Sequence, residues 1–468
     1  MIIQNLKIDN ILLMLKLVKN KYNIIIFNHK MTDISKCKCF IDEIINKTKD
    51  NVVLSNCRIN NIDTIYTISD IHGDYDVLID ILKFYNVIDI NENDIHNIDN
   101  ITLKKSLNNI AIVQTGDILD QYRENGRYFC FNLNDILCLK LLIKLKKESM
   151  LLDNVHVILL YGNHDITNIF RCYGENHFIK NKQILDYMNE SWLYSYGNKF
   201  DYLNLSEQEI NIIKDRNDTI NTYINDLYNL FLSGVIVNNI MFSHSFITKY
   251  NINTILLYTY RLYCYKNNII FSKDSEVLNG LFLNVLNSYS IDLLYFINCM
   301  KKYMLHSIIY ENNIETEIYN SLWSIKILFN ERIYNNEKLQ RIIKKYNNLD
   351  LMIDYEKDKI SDEYILYIQQ QKKVINDIIN LFNINKIVLG HVSISSEPRH
   401  QILNINDNEY DIYYNDIHLS RAFIIKNPIL FVSIKTIKKY LLVFTNKYLK
   451  TNNYKNSTYD YRYNIITL

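Results

Sequence analysis

Ile65-Tyr66-Thr67-Ile68-Ser69-Asp70-Ile71-His72-Gly73-Asp74, followed by Tyr75-Asp76-Val77-Leu78-Ile79-Asp80-Ile81-Leu82-Lys83-Phe84, is the stretch on which the fold turns. Its first four residues form a short apolar run rich in β-branched side chains that breaks into a polar cluster. Val77–Phe84 then shows apolar positions at helical spacing. The unit of strand, polar loop and helix recurs. Ile110–Val113 leads into Gly116-Asp117-Ile118-Leu119-Asp120 and the helix-like Ile136–Lys147, and Val155–Leu160 leads into Gly162-Asn163-His164-Asp165. Two later runs, Val235–Phe242 and Ile387–Leu389, end in Ser243-His244 and Gly390-His391. This alternation predicts a layered α/β (α+β) architecture around a buried sheet. In such folds ligand chemistry gathers at the carboxyl ends of the strands.

Taken singly the clusters are ordinary: Asp-x-His is commonly a capped turn, Gly-Asp a turn, a solitary histidine a core residue. Their joint placement is not ordinary. Of the nine glycines and eleven histidines in the chain, Gly73, Gly116, Gly162 and Gly390 and His72, His164, His244 and His391 all fall at these few strand ends. At an extended strand end, residues two apart point the same way, so Asp70 and His72 are expected to reach one metal together. Asp, His and Asn offer hard oxygen and imidazole nitrogen, a donor set suited to manganese, iron or zinc.

As a set, Asp-x-His-Gly at 70–73, Gly-Asp-x-x-Asp at 116–120, Gly-Asn-His-Asp at 162–165, His244 and Gly390-His391 resemble the metallophosphoesterase (calcineurin-like phosphatase) superfamily. Asp120, with Leu322-Trp323-Ser324 and Asn330-Glu331-Arg332, looks most like its phosphoprotein phosphatase branch. Asp416-Ile417-His418-Leu419-Ser420-Arg421-Ala422-Phe423 is similar to the closing strand of bacterial-type and large-DNA-virus members. The resemblance implies a β-sandwich flanked by helices, with a helical N-terminal extension and helical insertions. It implies two divalent ions, manganese first, with iron or zinc as alternatives. Asp70, His72 and Asp117 would hold one, and Asp117 would bridge to the other, held by Asn163, His244 and His391. A hydroxide shared by the ions would attack phosphorus in line. His164 would protonate the departing oxygen, and Asp120 would orient its imidazole. Arg332 and Arg123 would grip the phosphate, because Gln121 stands where the branch has its arginine. Ser245-Phe246 replace two glycines of the pattern, which predicts a narrowed pocket. Ser393 stands where some superfamily members carry a further histidine ligand.

The function so implied is hydrolysis of phosphomonoesters, with protein phosphoserine or phosphothreonine as the leading substrate. The alternative is a dinucleoside-polyphosphate hydrolase using the same site. A catalytically silent scaffold is the third reading, and the presence of every presumed ligand argues against it.

The remaining chain bounds this picture. Its 468 residues read as a helical extension over 1–60, a catalytic domain over 61–445 with insertions near 175–232 and 248–320, and a loosely held polar tail over 446–468. A net charge of +1 indicates no basic nucleic-acid surface, and the 38 tyrosines come without basic interleaving, as AT-rich codon bias would produce them. No run reaches the roughly 18–20 apolar residues of a membrane span. The best candidate, Ile429–Phe444, is broken by Lys435, Lys438 and Lys439. The N-terminus reads as an amphipathic helix, not a signal peptide. Eight cysteines without a CxxC pair read as reduced thiols. A soluble cytoplasmic protein is expected, its oligomeric state left open. His29, His96, His156, His177, His306, His400 and His418 have no partners in the pattern and read as structural or exposed.

Overall fold

The computed structural model describes residues 35–119, 134–169, 218–269, 282–310, 375–391, 398–416, 437–447 and 454–468, apart from a few positions within these spans. Two sheets carry the fold. The first orders β14 (Tyr454–Lys455), β15 (Tyr459–Ile466), β13 (Ile437–Thr445), β2 (Thr64–Ile68), β5 (Ile110–Gln114), β6 (Val155–Leu160) and β7 (Phe231–Leu232). The second orders β1 (Arg58–Ile59), β8 (Gly234–Val237), β9 (Ile240–Ser243), β10 (Lys386–Leu389), β12 (Asn408–Tyr414) and β11 (Arg399–Ile405). A small ribbon pairs β3 (Ile88–Asp89) with β4 (Thr102–Leu103).

β2, β5 and β6 are parallel neighbours, and every residue of β2 and β5 is buried. That explains why neither strand alternates between an apolar and an exposed polar side, since strands covered on both faces have no solvent side to alternate with. β9, β10 and β12 are likewise parallel. Between the sheets the Phe444 ring stands edge-on to Phe242 and Tyr413, at 6.0 and 5.3 Å between centroids. The sheets are also pinned by a polar contact, Thr67 Oγ1 standing 3.3 Å from Asn415 Oδ1 and 2.8 Å from Leu442 O.

The helices cover this sandwich. α1 (residues 35–48) inserts Phe40 among Tyr260, Phe282 and Phe296, all edge-on at 5.0–6.3 Å. α2 (Tyr75–Phe84) starts where Asp74 accepts the Val77 amide, and it buries Val77, Leu78, Ile81 and Leu82. α3 (Asn134–Ser149) packs on β6, and α4 (Ile224–Leu230) leads directly into β7. α5 (Lys249–Lys266) opens on a Thr248–Asn251 capping box. α6 (Leu293–Tyr310) locks to the strands through Asn298, which accepts the Ser233 amide at 2.7 Å and donates to Gly234 O at 3.1 Å. Of the two segments read as insertions, the described parts thus include α4, α5 and α6.

Two sequence expectations are corrected. The run Val235–Phe242, read as one strand, is a hairpin: β8 and β9 pair antiparallel, with Val237 opposite Ile240. Asn238 and Asn239 turn the chain at φ 50° and 62°, the left-handed pair that a two-residue hairpin requires and asparagine tolerates. The closing segment, read as a loose tail, is a sheet element. β15 pairs in parallel with β13 over eight rungs, and Tyr461 is fully buried. Its polar composition hid an alternation in which Tyr461 is buried and Tyr463 half-buried, aromatic residues standing where aliphatic ones are usual. Among the described residues no helix is long and apolar enough to cross a membrane.

Candidate metal centre

The loops that leave β2, β5, β6, β9 and β10 at their carboxyl ends meet in one buried place. After β2 the chain does not stay extended. Asp70 follows the strand, but His72 (φ 44°) and Gly73 (φ 71°) form a left-handed turn. Asp70 and His72 are therefore not aligned as alternate residues of a strand, and that expectation is corrected. A turn brings His72 in, held by the amides of Ile71 and His72 on Asp117 O (3.2 and 3.0 Å) and of Gly73 on Ile118 O (2.8 Å).

Asp117 is the hub. Its Oδ1 accepts the His164 amide at 2.9 Å. Its Oδ2 has imidazole nitrogens of three histidines around it: His244 Nε2 at 3.4 Å, His72 Nε2 at 3.8 Å and His164 Nε2 at 4.0 Å. Burial opposes the charge on Asp117, yet the facing His244, His164 and His72 outweigh it and hold the carboxyl well below the usual range. His244 donates from Nδ1 to Thr115 O at 2.9 Å, which turns Nε2 toward Asp117 and toward Asn163 Oδ1, 2.9 Å away. For His244 burial disfavours the charged ring, but Asp117 and Asp70 prevail and push it up to about 9.

Asp70 is completely buried. Its Oδ2 accepts the His391 amide at 2.9 Å, while its Oδ1 accepts no hydrogen bond among the described residues. Burial first, and then the charge of Asp416, raise its carboxyl well above the ordinary value. A carboxylate oxygen sealed from water without a donor costs about 1–3 kcal/mol or more. A cation would supply the missing interaction, and on this test the residues present fit a metal. Two overlapping triads have ligand atoms within 4.8 Å of one another, His72-Asp117-His164 and Asp117-His244-His391, and they share Asp117.

The backbone is shaped to this end. His72, Asp117 and His391 all lie in the left-handed region, at φ 44°, 52° and 60°. Non-glycine residues adopt it at about 1–2 kcal/mol each, and such strain concentrates at sites where geometry serves a ligand. Gly116 (φ 100°) and Gly162 let two loops touch: a Cβ on Gly162 would lie 2.1 Å from Asp117 N and Oδ1, and one on Gly116 2.7 Å from Gly162 N and His244 Nδ1. Asp165 braces the same loops, accepting the Ile118 and Leu119 amides at 3.0 Å and the Gly162 amide at 2.8 Å.

The structure thus gathers Asp70, His72, Asp117, Asn163, His164, His244 and His391. Asp120, Arg123, Arg332 and Ser393 lie outside the described residues. His164 stands within one triad, its Nε2 4.0 Å from Asp117 Oδ2. The sequence alone assigned no role to Thr115 or to the buried Asp416. The likeness of the 416–423 segment to a family strand was the available signal for the latter.

Residues 64–296 match the family model of the calcineurin-like phosphoesterases. This span is a calcineurin-like phosphoesterase domain. The domain, with its candidate ligand groups, makes the chain a metal-dependent phosphoesterase. His391 and Asp416 come from beyond the matched span, delivered to the site by β10 and β12. Among solved structures the chain is similar to the cold-active protein-tyrosine phosphatase of a psychrophilic Shewanella species, with 15% identity, 78% of this chain and 74% of that one covered, and a TM-score of 0.30. It is also similar to the phosphatase domain of the Legionella effector WipB, with 12% identity, 57% and 92% covered, and a TM-score of 0.27. Likenesses at such TM-scores say nothing about substrate or mechanism. Curated proteins give no match.

Proposed function

We propose that the chain is a two-ion phosphomonoesterase. The observation that carries this reading is the single carboxylate oxygen, Asp117 Oδ2, ringed by imidazole nitrogens from three separate loops within 4.0 Å. In this reading Asp70, His72 and Asp117 hold one ion, and Asp117, Asn163, His244 and His391 hold the other. Two divalent cations sharing a carboxylate supply Lewis acidity at the phosphoryl oxygens and lower the pKa of water. The protein fixes the donors. The Thr115 carbonyl sets the His244 tautomer, the His391 amide aims Asp70, and Asp165 clamps the loops of Asp117 and Asn163 together. His164 carries the proton that the leaving oxygen needs, at Nε2.

The charge state of His244 makes binding pH-dependent. Below about 9 its ring is doubly protonated, and ligation through Nε2 must displace one proton. Affinity for manganese should therefore rise about tenfold per pH unit from about pH 6 toward 9, more steeply wherever Asp70 is also protonated, and then level off. Calorimetric titration in buffers of different ionisation enthalpy reads the released proton directly. An affinity flat across that range would remove His244 from the ligand set.

Protein phosphoserine or phosphothreonine is the substrate the motif set supports, through its likeness to the phosphoprotein phosphatase branch. The test sets a phosphoserine peptide against a dinucleoside tetraphosphate, with manganese, iron(II) or zinc in turn. The peptide should turn over faster by at least about tenfold. Preference for the dinucleotide would reassign the substrate to phosphoanhydrides while leaving the metal centre in place.

A further inference from the structure

Gly116 stands one residue before the hub, where the crowding of Gly162 N and His244 Nδ1 allows no side chain. The position that most needs a fixed backbone is therefore held by the residue with the most backbone freedom. Strand pairing stops short of it, because β5 ends at Gln114, whose rungs are Ile68 on β2 and Leu159 on β6. Gln114 supplies the partner from its own side chain. Its Nε2 donates to Gly116 O at 2.7 Å, and its Oε1 accepts the Gly116 amide at 2.8 Å. Gln114 is 1% exposed, so both bonds are made away from water. One planar amide thus satisfies both backbone groups of Gly116, as a neighbouring strand would.

Each bond fixes a peptide plane that leads to the centre. The Gly116 amide shares its plane with the Thr115 carbonyl, which accepts His244 Nδ1 at 2.9 Å and so aims His244 Nε2. The Gly116 carbonyl shares its plane with the Asp117 amide. Asp117 sits at φ 52°, a strained conformation for a residue with a Cβ, and it carries the oxygen that three imidazoles surround. We propose that Gln114 is a positioning residue for the metal centre: its side-chain amide locks the Thr115-Gly116-Asp117 turn and so fixes the shared carboxylate and the His244 ring relative to each other. The inference rests on the two-ion reading above. It assigns to Gln114 no contact with either ion and none with substrate.

Gln114→Met keeps the length of the side chain and removes both bonds. It leaves two buried backbone groups unpaired, so the metal-free protein should melt lower whatever the role of the residue. Metal affinity, measured well below the melting temperature, is what separates positioning from plain structure. Asn238 provides the matched control. Its side-chain amide also serves both backbone groups of one residue, accepting the Ile62 amide at 3.1 Å and donating to Ile62 O at 2.6 Å, but at the opposite ends of the strands. Asn238→Gly deletes that pair and suits its φ of 50°. Calorimetric manganese titration and thermal unfolding of wild type, Gln114→Met, Asn238→Gly and, as a reference, Asp117→Asn form the experiment. Gln114→Met should weaken both manganese-binding steps by about 10- to 100-fold, the scale of losing a group that orients ligands from outside the ligand set. Asn238→Gly should lower the melting temperature and keep wild-type affinity. If Gln114→Met does not fold, Gln114→Asn, whose amide is drawn back by one methylene, should weaken both steps by a smaller factor. Wild-type affinity in the Gln114 variant, loss at one step only, or an equal loss in Asn238→Gly overturns the proposal. If wild type binds manganese and Asp117→Asn does not, any of those results defeats this inference alone. If wild type binds none, the two-ion reading falls and this inference falls with it.

Discussion

Asp117→Asn should abolish turnover of an aryl phosphate by about three to five orders of magnitude, and it should empty both ion sites at once. The size of the effect follows from the position of the residue. Among the described residues it alone is common to both ligand triads, and its charge is held in place by three imidazoles despite complete burial. The amide keeps the shape and the Oδ1 contact with the His164 amide but removes the negative charge between two cations. Unshielded, two divalent ions some 3.5–4 Å apart repel strongly, so loss at one site is loss at both. His391→Ala offers the contrast. It removes a donor from one triad, so about one equivalent of metal should remain where wild type binds about two. Elemental analysis after equilibration in manganese, alongside turnover, checks both variants. Metal content at the wild-type level in Asp117→Asn would disprove the shared carboxylate.

The fold class was legible in the sequence, and so was the gathering of donor residues at the strand ends, for a chemical reason. Metal donors are few residue types, and in a glycine-poor chain the glycines that permit close loop contact stood out beside them. Gly116 and Gly162 are where the backbone demanded no side chain. What the spacing could not give was conformation. Asp-x-His was read as a strand end, but His72 reaches the site through a left-handed turn closed by Asp117 O, a contact between residues 45 positions apart. The hairpin at Asn238-Asn239 was masked because apolar residues continue on both sides of a turn made by a dipeptide abundant in this chain. β15 was missed because most of its residues are polar or aromatic, with isoleucine only at its end. Charges that matter only through burial were invisible for a similar reason. Asp416 and Lys439 look like solvated residues until two sheets close over them.

His164 carries the prediction that divides two readings of the same geometry. As proton donor, it matters in proportion to how badly the leaving oxygen needs a proton. His164→Asn should then slow hydrolysis of a phosphoserine peptide by about 10²- to 10⁴-fold, while p-nitrophenyl phosphate, whose phenolate departs unassisted, loses far less. Metal content should stay at the wild-type level. As a ligand, His164 would behave otherwise. Its Nε2 lies 4.0 Å from Asp117 Oδ2 and its ring stands edge-on to His72 at 5.1 Å, within one of the two triads. In that case the variant would lose about one equivalent of metal, and both substrates would slow by the same factor. The backbone of the residue is tied down independently of its ring, by its amide on Asp117 Oδ1 and its carbonyl on Asn168 Nδ2 at 2.8 Å. The substitution therefore tests the imidazole and leaves the loop standing. A leaving-group dependence with full metal content assigns the proton to His164, and equal losses with depleted metal assign it to the ion.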